Sequence, residues 1–256
     1  MTIKSMGLIA ALALAGVACG TKDAPGPLEP GQTGRIRFVN LITDPARNPL
    51  NAVLENLPFG VNLGYGGTTP SSLPSPATAF YSPILVGDRT LVLVRTADPT
   101  ATIATLTFTI IEGDDHTVYA QGGTGGGPIT GFMTTDPTPA PPAGQVAVRI
   151  VNMSPTGGAM DFFVTAAGAD LSTATPIAAN LAYHGESPYV NIAAGTYQIR
   201  AVPAGTAPAL RSTSVVINFT PPTTPAPFPA NSARTIVAAD AAGGGSPLRA
   251  FLLTDK

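Results

Sequence analysis

Apolar and polar residues alternate with a period of two in several stretches of the chain. From Thr105 to Ile110 the threonines fall on one side, and Leu106, Phe108 and Ile110 on the other. Arg35 and Arg37 alternate with Ile36 and Phe38, and Val146, Val148 and Ile150 with Ala147 and Arg149, before Val151. Thr213, Val215, Ile217 and Phe219 share one side, with Thr213 at its rim. Side chains along a strand point to opposite faces in turn, so each stretch predicts a strand with one face in a core. Turn residues punctuate them at Val86-Gly87-Asp88, Glu112-Gly113-Asp114-Asp115 and Ala194-Gly195. Short strands separated by such turns, without long helical periodicity, predict an all-β chain of antiparallel β-sandwich type.

The pattern occurs twice. Arg37-Phe38-Val39-Asn40 returns as Arg149-Ile150-Val151-Asn152, and His116-Thr117-Val118-Tyr119-Ala120 as Arg234-Thr235-Ile236-Val237-Ala238. Phe132-Met133-Thr134-Thr135-Asp136 returns as Phe251-Leu252-Leu253-Thr254-Asp255. A third pair shares N-L-x-Y-x-G-x-[ST]-P: Asn62, Leu63, Tyr65, Gly67 and Pro70 in one copy, Asn180, Leu181, Tyr183, Gly185 and Pro188 in the other. The order is kept, so two tandem domains are expected, 35–136 and 145–256, joined by a stiff Pro-rich linker at 137–144. The second copy carries an extra Pro-rich stretch at 220–233, expected as an exposed hairpin extension.

The N-terminus has a different logic. Lys4 precedes the apolar run Gly7 to Gly16, which is too short to span a bilayer, since a span takes about 20 residues. Val17 and Ala18 then lead directly into Cys19, the chain's one cysteine. This order resembles the bacterial lipobox, which implies a signal peptide at 1–18, acyl chains on Cys19 and attachment to a membrane. Two or three acyl chains give stable anchoring where one does not. Residues 19–34 would form a Pro-rich tether, and the expected location is the cell envelope, outside the cytoplasm. Gly20 is not Asp, so the familiar inner-membrane retention signal is missing, which favours the outer membrane if the source is Gram-negative.

The second copy also carries a family resemblance. Its segments VRIVNMSP, AMDFFV, NLAYHGESPYVNIAAGTYQIRAVPAG, RTIVAAD and FLLTD resemble the bacterial domain of unknown function 4397. The resemblance covers most of 146–255. It is weaker over 35–136, where Leu41 to Leu54 replaces the DFFV region and Ser71 to Thr78 pads the centre. It implies an immunoglobulin-like sandwich and a surface location, and brings no catalytic residues.

Composition narrows the chemistry. Charged residues make up 11% of the chain and the net charge is −2, which gives no electrostatic basis for binding nucleic acid. With one cysteine there is no intrachain disulfide and no cysteine metal cluster. His116 is expected as an exposed strand-edge residue, because Arg234 stands at its repeat position, and His184 as a surface-loop residue. His184 and Glu186 are too few to make a zinc site. Gly122 to Gly127 and Gly243 to Ser246 lack the lysine of a phosphate loop and read as flexible connections. Tyr65 and Tyr183 read as loop-fixing residues, Pro70 and Pro188 as strand boundaries, and Asp136 and Asp255 as residues that end the last strand with a turn or a side-chain-to-backbone hydrogen bond. No catalytic group, cofactor or metal is expected. The resulting expectation is a lipid-anchored, non-enzymatic binding or structural module with an unidentified envelope protein or glycan as partner. The alternatives are a carbohydrate-binding or adhesin module and, less favoured by the residues, an envelope hydrolase.

Overall fold

The computed structural model describes residues 32–69, 80–224 and 226–256. Cys19, Val17, Ala18 and Pro70 lie outside these residues. The described residues fall in one compact unit.

The first half contains β1 (Thr33–Ile42), β2 (Leu50–Leu54), β3 (Leu57–Leu63), β4 (Thr68–Thr69), β5 (Ser82–Leu85), β6 (Gly87–Arg95), β7 (Asp98–Ile110), β8 (Asp115–Gly122) and β9 (Ile129–Thr135). The second contains β10 (Gln145–Met153), β11 (Met160–Thr165), β12 (Ala178–Leu181), β13 (Val190–Ala193), β14 (Gln198–Pro203), β15 (Ile217–Phe219), β16 (Ser232–Ala239) and β17 (Arg249–Thr254). The fold is all-β, and each half is a two-sheet sandwich. One sheet of the first half runs β4-β1-β8-β9, with β5 also on β1, and the other runs β3-β2-β6-β7. The second half repeats the order as β13-β10-β16-β17 and β12-β11-β14-β15. Pairing is antiparallel except for one parallel pair per half, β1 with β8 and β10 with β16. The members of each pair are far apart in sequence, which leaves room for the crossover that a parallel pair requires.

The layers follow from the parity of the side chains. In β1, Ile36, Phe38 and Ile42 enter a core shared with Leu50, Leu91, Leu93 and Leu106 of the first half. In β10, Val146, Val148 and Ile150 enter the equivalent core with Phe162, Ile199 and Ile236. The opposite faces of the same strands are buried as well. Val39, Leu41 and Tyr119 of the first half pack with Val151, Met153, Val237, Ala239 and Leu253 of the second. The two sheets that contain β1 and β10 therefore lie back to back as inner layers, with an outer sheet beyond each. A strand buried on both faces loses its polar alternation, which explains the runs Phe38 to Ile42 and Ile150 to Met153, apolar apart from Asn40 and Asn152.

Two local expectations fail. The stretch Thr213 to Phe219 is not one strand: Pro208–Thr213 is a 3-10 helix, and only Ile217–Phe219 is extended. Val215 packs beside Phe163, Leu171 and Val202 on the outer face of the outer sheet, whereas Ile217 enters the core. The Pro-rich extension is not free along its length either. Phe228 is 1% exposed within the second core, where the edge of Tyr197 meets its ring at 5.5 Å.

Candidate functional site: the charged interface between the halves

Arg37 and Arg149 sit at equivalent places in β1 and β10, and their parity points both at the opposite half. Each finds its carboxylate there. Arg37 Nη2 donates to Asp255 Oδ1 at 2.9 Å, and Arg149 Nη2 donates to Asp136 Oδ1. The halves thus exchange aspartates across a pseudo-two-fold axis. Arg37 also lies 3.5 Å from Asp136, and Arg149 Nη1 donates to Glu186 Oε2 at 3.1 Å. Hydroxyls complete the network. Thr117 donates to Asp136 and Thr235 to Asp255, while both threonines accept from the arginine of their own half. Tyr81 donates to Asp136 Oδ2 at 2.7 Å, and Tyr189 to Asp255 Oδ2 at 3.1 Å.

Asp136 and Asp255 directly follow the last strand of each half, β9 and β17, but their carboxylates bond to side chains and not to backbone. Their carboxylates are buried, and each serves the guanidinium of the other half. Burial by itself would push the Asp136 carboxyl up. Arg149 and Arg37, with the hydroxyls of Thr117 and Thr134, outweigh it and hold the group below the ordinary aspartate value. Arg37 is held above its ordinary value, because Asp255 and the other anions around it outweigh the burial that opposes its charge. The paired charges and hydroxyls of Arg37, Arg149, Asp136 and Asp255 orient one half against the other. Among the described residues, no group of three or more His, Cys, Asp or Glu could hold a metal ion.

The other end of the interface is built by the repeated motif. Asn40 Nδ2 donates to the carbonyls of Leu63 and Gly64, and Asn152 Nδ2 to those of Leu181 and Gly158. The motif docks on the asparagine of its own inner strand through the backbone as well: Gly66 donates to Asn40 and His184 to Asn152. Asn62 and Asn180 adopt positive φ, a region asparagine tolerates. A Cβ on Gly67 or Gly185 would meet the carbonyl oxygen of Gly64 at 2.9 Å or of Ala182 at 2.7 Å, so the turn admits only glycine there. The turns then reach across. Tyr65 donates to the Asp240 carbonyl and meets the edge of Phe251 at 5.6 Å. In the other direction His184 stacks on Phe132 at 4.4 Å, bonds to Gln121, and carries Tyr183 on its ring at 3.9 Å. Pro188 is exposed beside Glu186 and Tyr189.

Both histidine expectations need correction. His116 is fully buried, not exposed: its Nε2 accepts from Ile111 N–H at 3.2 Å and so caps the turn before β8. Arg234 does related work from the same position, since its guanidinium donates to the carbonyls of Pro227, Ala233 and Lys256. His184 is half-buried in the interface, and burial lowers its pKa. The two glycine-rich connections also meet: Gly243 donates to the Thr43 carbonyl, and Thr43 Oγ1 lies 2.6 Å from Thr124 Oγ1.

The family model of a domain of unknown function, DUF4397, matches residues 34–163, just over half of the chain. The chain belongs to the DUF4397 family. The match spans the first half and ends in β11, whereas the motifs quoted from the sequence put the stronger likeness in the second half. No curated protein sequence matches this DUF4397 protein. Among solved structures it is similar to the TIE protein of Bacillus anthracis, at 9% identity and a TM-score of 0.20, over 68% of this chain and 29% of that one. It is also similar to a leucine-rich repeat protein of Bacteroides thetaiotaomicron, at 13% identity and a TM-score of 0.19, over 74% of this chain and 24% of that one. This DUF4397 chain thus spans less than a third of the length of either.

Sequence reasoning missed Tyr81 and Tyr189 as a pair. Ser82 pairs with Ile36 and Val190 with Val148, so the residue before each is equivalent in the DUF4397 repeat. The padding at 71–78 in the first copy hides the correspondence. The signal that could have exposed it is a tyrosine leading into the strand that pairs with the Arg-bearing strand.

Proposed function

We propose that this DUF4397 protein is a lipid-anchored, non-enzymatic module that presents a rigid pair of β-sandwiches from the cell envelope. One observation carries the rigid presentation: the exchange of Asp136 and Asp255 between Arg149 and Arg37, which fixes one half against the other. Inter-domain contacts within a chain are commonly small and mobile. Here they include a buried apolar cluster and a buried ionic network, so a surface borne by one half is held at a set angle to the other. The anchor is supported by the order Lys4, apolar run, Val17-Ala18-Cys19. Metabolic labelling with palmitate tests it. The wild-type chain is expected to take up label and to fractionate with membranes, and Cys19→Ala to lose both. Label retained in Cys19→Ala would refute the anchor.

A further inference from the structure

The two halves differ at one equivalent place. Tyr81 is 4% exposed, with the guanidinium carbons of Arg37 and Arg35 at 4.6 Å and 5.7 Å from its ring centroid. Arg35 is itself fixed by both oxygens of Asp115, at 2.5 Å and 2.6 Å. Tyr189, the counterpart of Tyr81, has the inner guanidinium, Arg149, at 5.2 Å. The position that corresponds to Arg35 is Ala147, which carries no charge. Beside it opens a hollow of about 410 Å³, lined by Tyr189, Glu186, Pro137, Pro139, Pro188 and by Asn191, the strand partner of Ala147.

The charge balance of the hollow is also incomplete. Two guanidiniums, Arg37 and Arg149, face three carboxylates, Asp136, Asp255 and Glu186. Glu186 gives Oε2 to Arg149, and among the described residues its Oε1 has no hydrogen bond. Its side chain keeps 34% of its surface in solvent, at the mouth of the hollow. An aromatic ring beside a carboxylate that keeps one oxygen without a partner selects a cation. A flat ring face favours guanidinium over ammonium, because guanidinium is planar and weakly hydrated and stacks.

We infer that this hollow binds the guanidinium group of an arginine side chain presented by a partner polypeptide. The bound group stacks on Tyr189 as Arg35 does on Tyr81 and pairs with Glu186 Oε1. The first half supplies its own arginine at this place, and the second half takes one from outside. The site does not depend on how the chain is anchored.

Titration of the full chain with acetyl-Gly-Arg-Gly-amide, followed by calorimetry, tests the assignment. Saturable binding is expected in the millimolar range or tighter. The peptide with citrulline in place of arginine, equal in shape but neutral, is expected to bind about tenfold more weakly or not at all. Glu186→Gln, a change at a partly exposed position that the fold tolerates, is expected to weaken the arginine peptide by a similar factor. Circular dichroism of this variant checks that the sandwiches persist. Absence of saturation, equal binding of the citrulline peptide, or unchanged affinity in folded Glu186→Gln would each overturn the inference.

Discussion

At the level of single residues, the interface separates two kinds of carboxylate that serve one arginine. Asp136 is buried, whereas Glu186 is partly exposed, and both bond to Arg149. Removing the buried partner leaves Arg149 with only the partly exposed Glu186 as its carboxylate, so Asp136→Asn is expected to cost up to about 3–5 kcal/mol. Glu186→Gln should cost no more than about 1 kcal/mol, since solvent screens that pair. Urea midpoints of the two variants check this ordering, and equal losses would contradict it. Tyr119 gives the opposite case. Its ring is buried in the interface, yet among the described residues its hydroxyl has no hydrogen-bond partner. Tyr119→Phe deletes an unmet polar atom and keeps the packing, so the same measurement should find it neutral, or stabilised by up to about 1 kcal/mol. The arginines and aspartates were legible as repeated residues. Their exchange was not, because a repeat shows what is equivalent in two copies and says nothing about how the copies meet. Arg37 and Arg149 alternate with apolar neighbours, which normally marks the solvent side of a strand. Here that side faces another sheet.

At the level of elements, the same turn is solved in two ways. Gly66 and His184 occupy the third position of the turn with φ of 78° and 63°. A side chain on Gly66 would run into the ring of Phe251, whereas His184 lies flat on Phe132. Gly66→Ala should therefore destabilise by about 1–3 kcal/mol, from positive φ and overpacking together. His184→Gly relieves the backbone and loses the stacking, so the two effects largely offset and its thermal midpoint should stay closer to wild type. Equal midpoints for the two variants would contradict this reading. Strand identity was legible wherever one face is buried, as in Leu106 and Ile110. It was misread around Thr213 to Phe219, where loops cover the outer face of the outer sheet and Val215 is partly buried on the side opposite Ile217. Alternation then gives no hint of where the 3-10 helix stops and the strand starts.

For the whole molecule, the interface makes stability depend on pH with a definite sign. Asp136 has a folded pKa below its unfolded value, so its contribution is complete above the unfolded value of about 4 and is lost as pH falls through the folded one. The groups that face it are Arg37, Arg149, Thr117, Thr134 and Tyr81, with Asp255 nearby. Once Asp136 is protonated, the carboxylates left to the two guanidiniums are Glu186, bonded to Arg149 and partly exposed, and Asp255, bonded to Arg37. Glu186 acts in the other direction. Burial, with a further push from Asp136, raises its pKa against the pull of Arg149, so its contribution is present at lower pH and is lost as pH rises through the folded value. Acidification from neutrality should then first raise the urea midpoint slightly, as Glu186 takes up a proton, and lower it steeply below about pH 4, as Asp136 does. Because the two sandwiches share the buried cluster, the loss should appear in one cooperative transition for 32–256 and not in two. In Asp136→Asn the steep acid limb should flatten while the Glu186 limb remains. An acid limb of the same slope in this variant would mean that the exchanged aspartate does not set the molecule's acid tolerance.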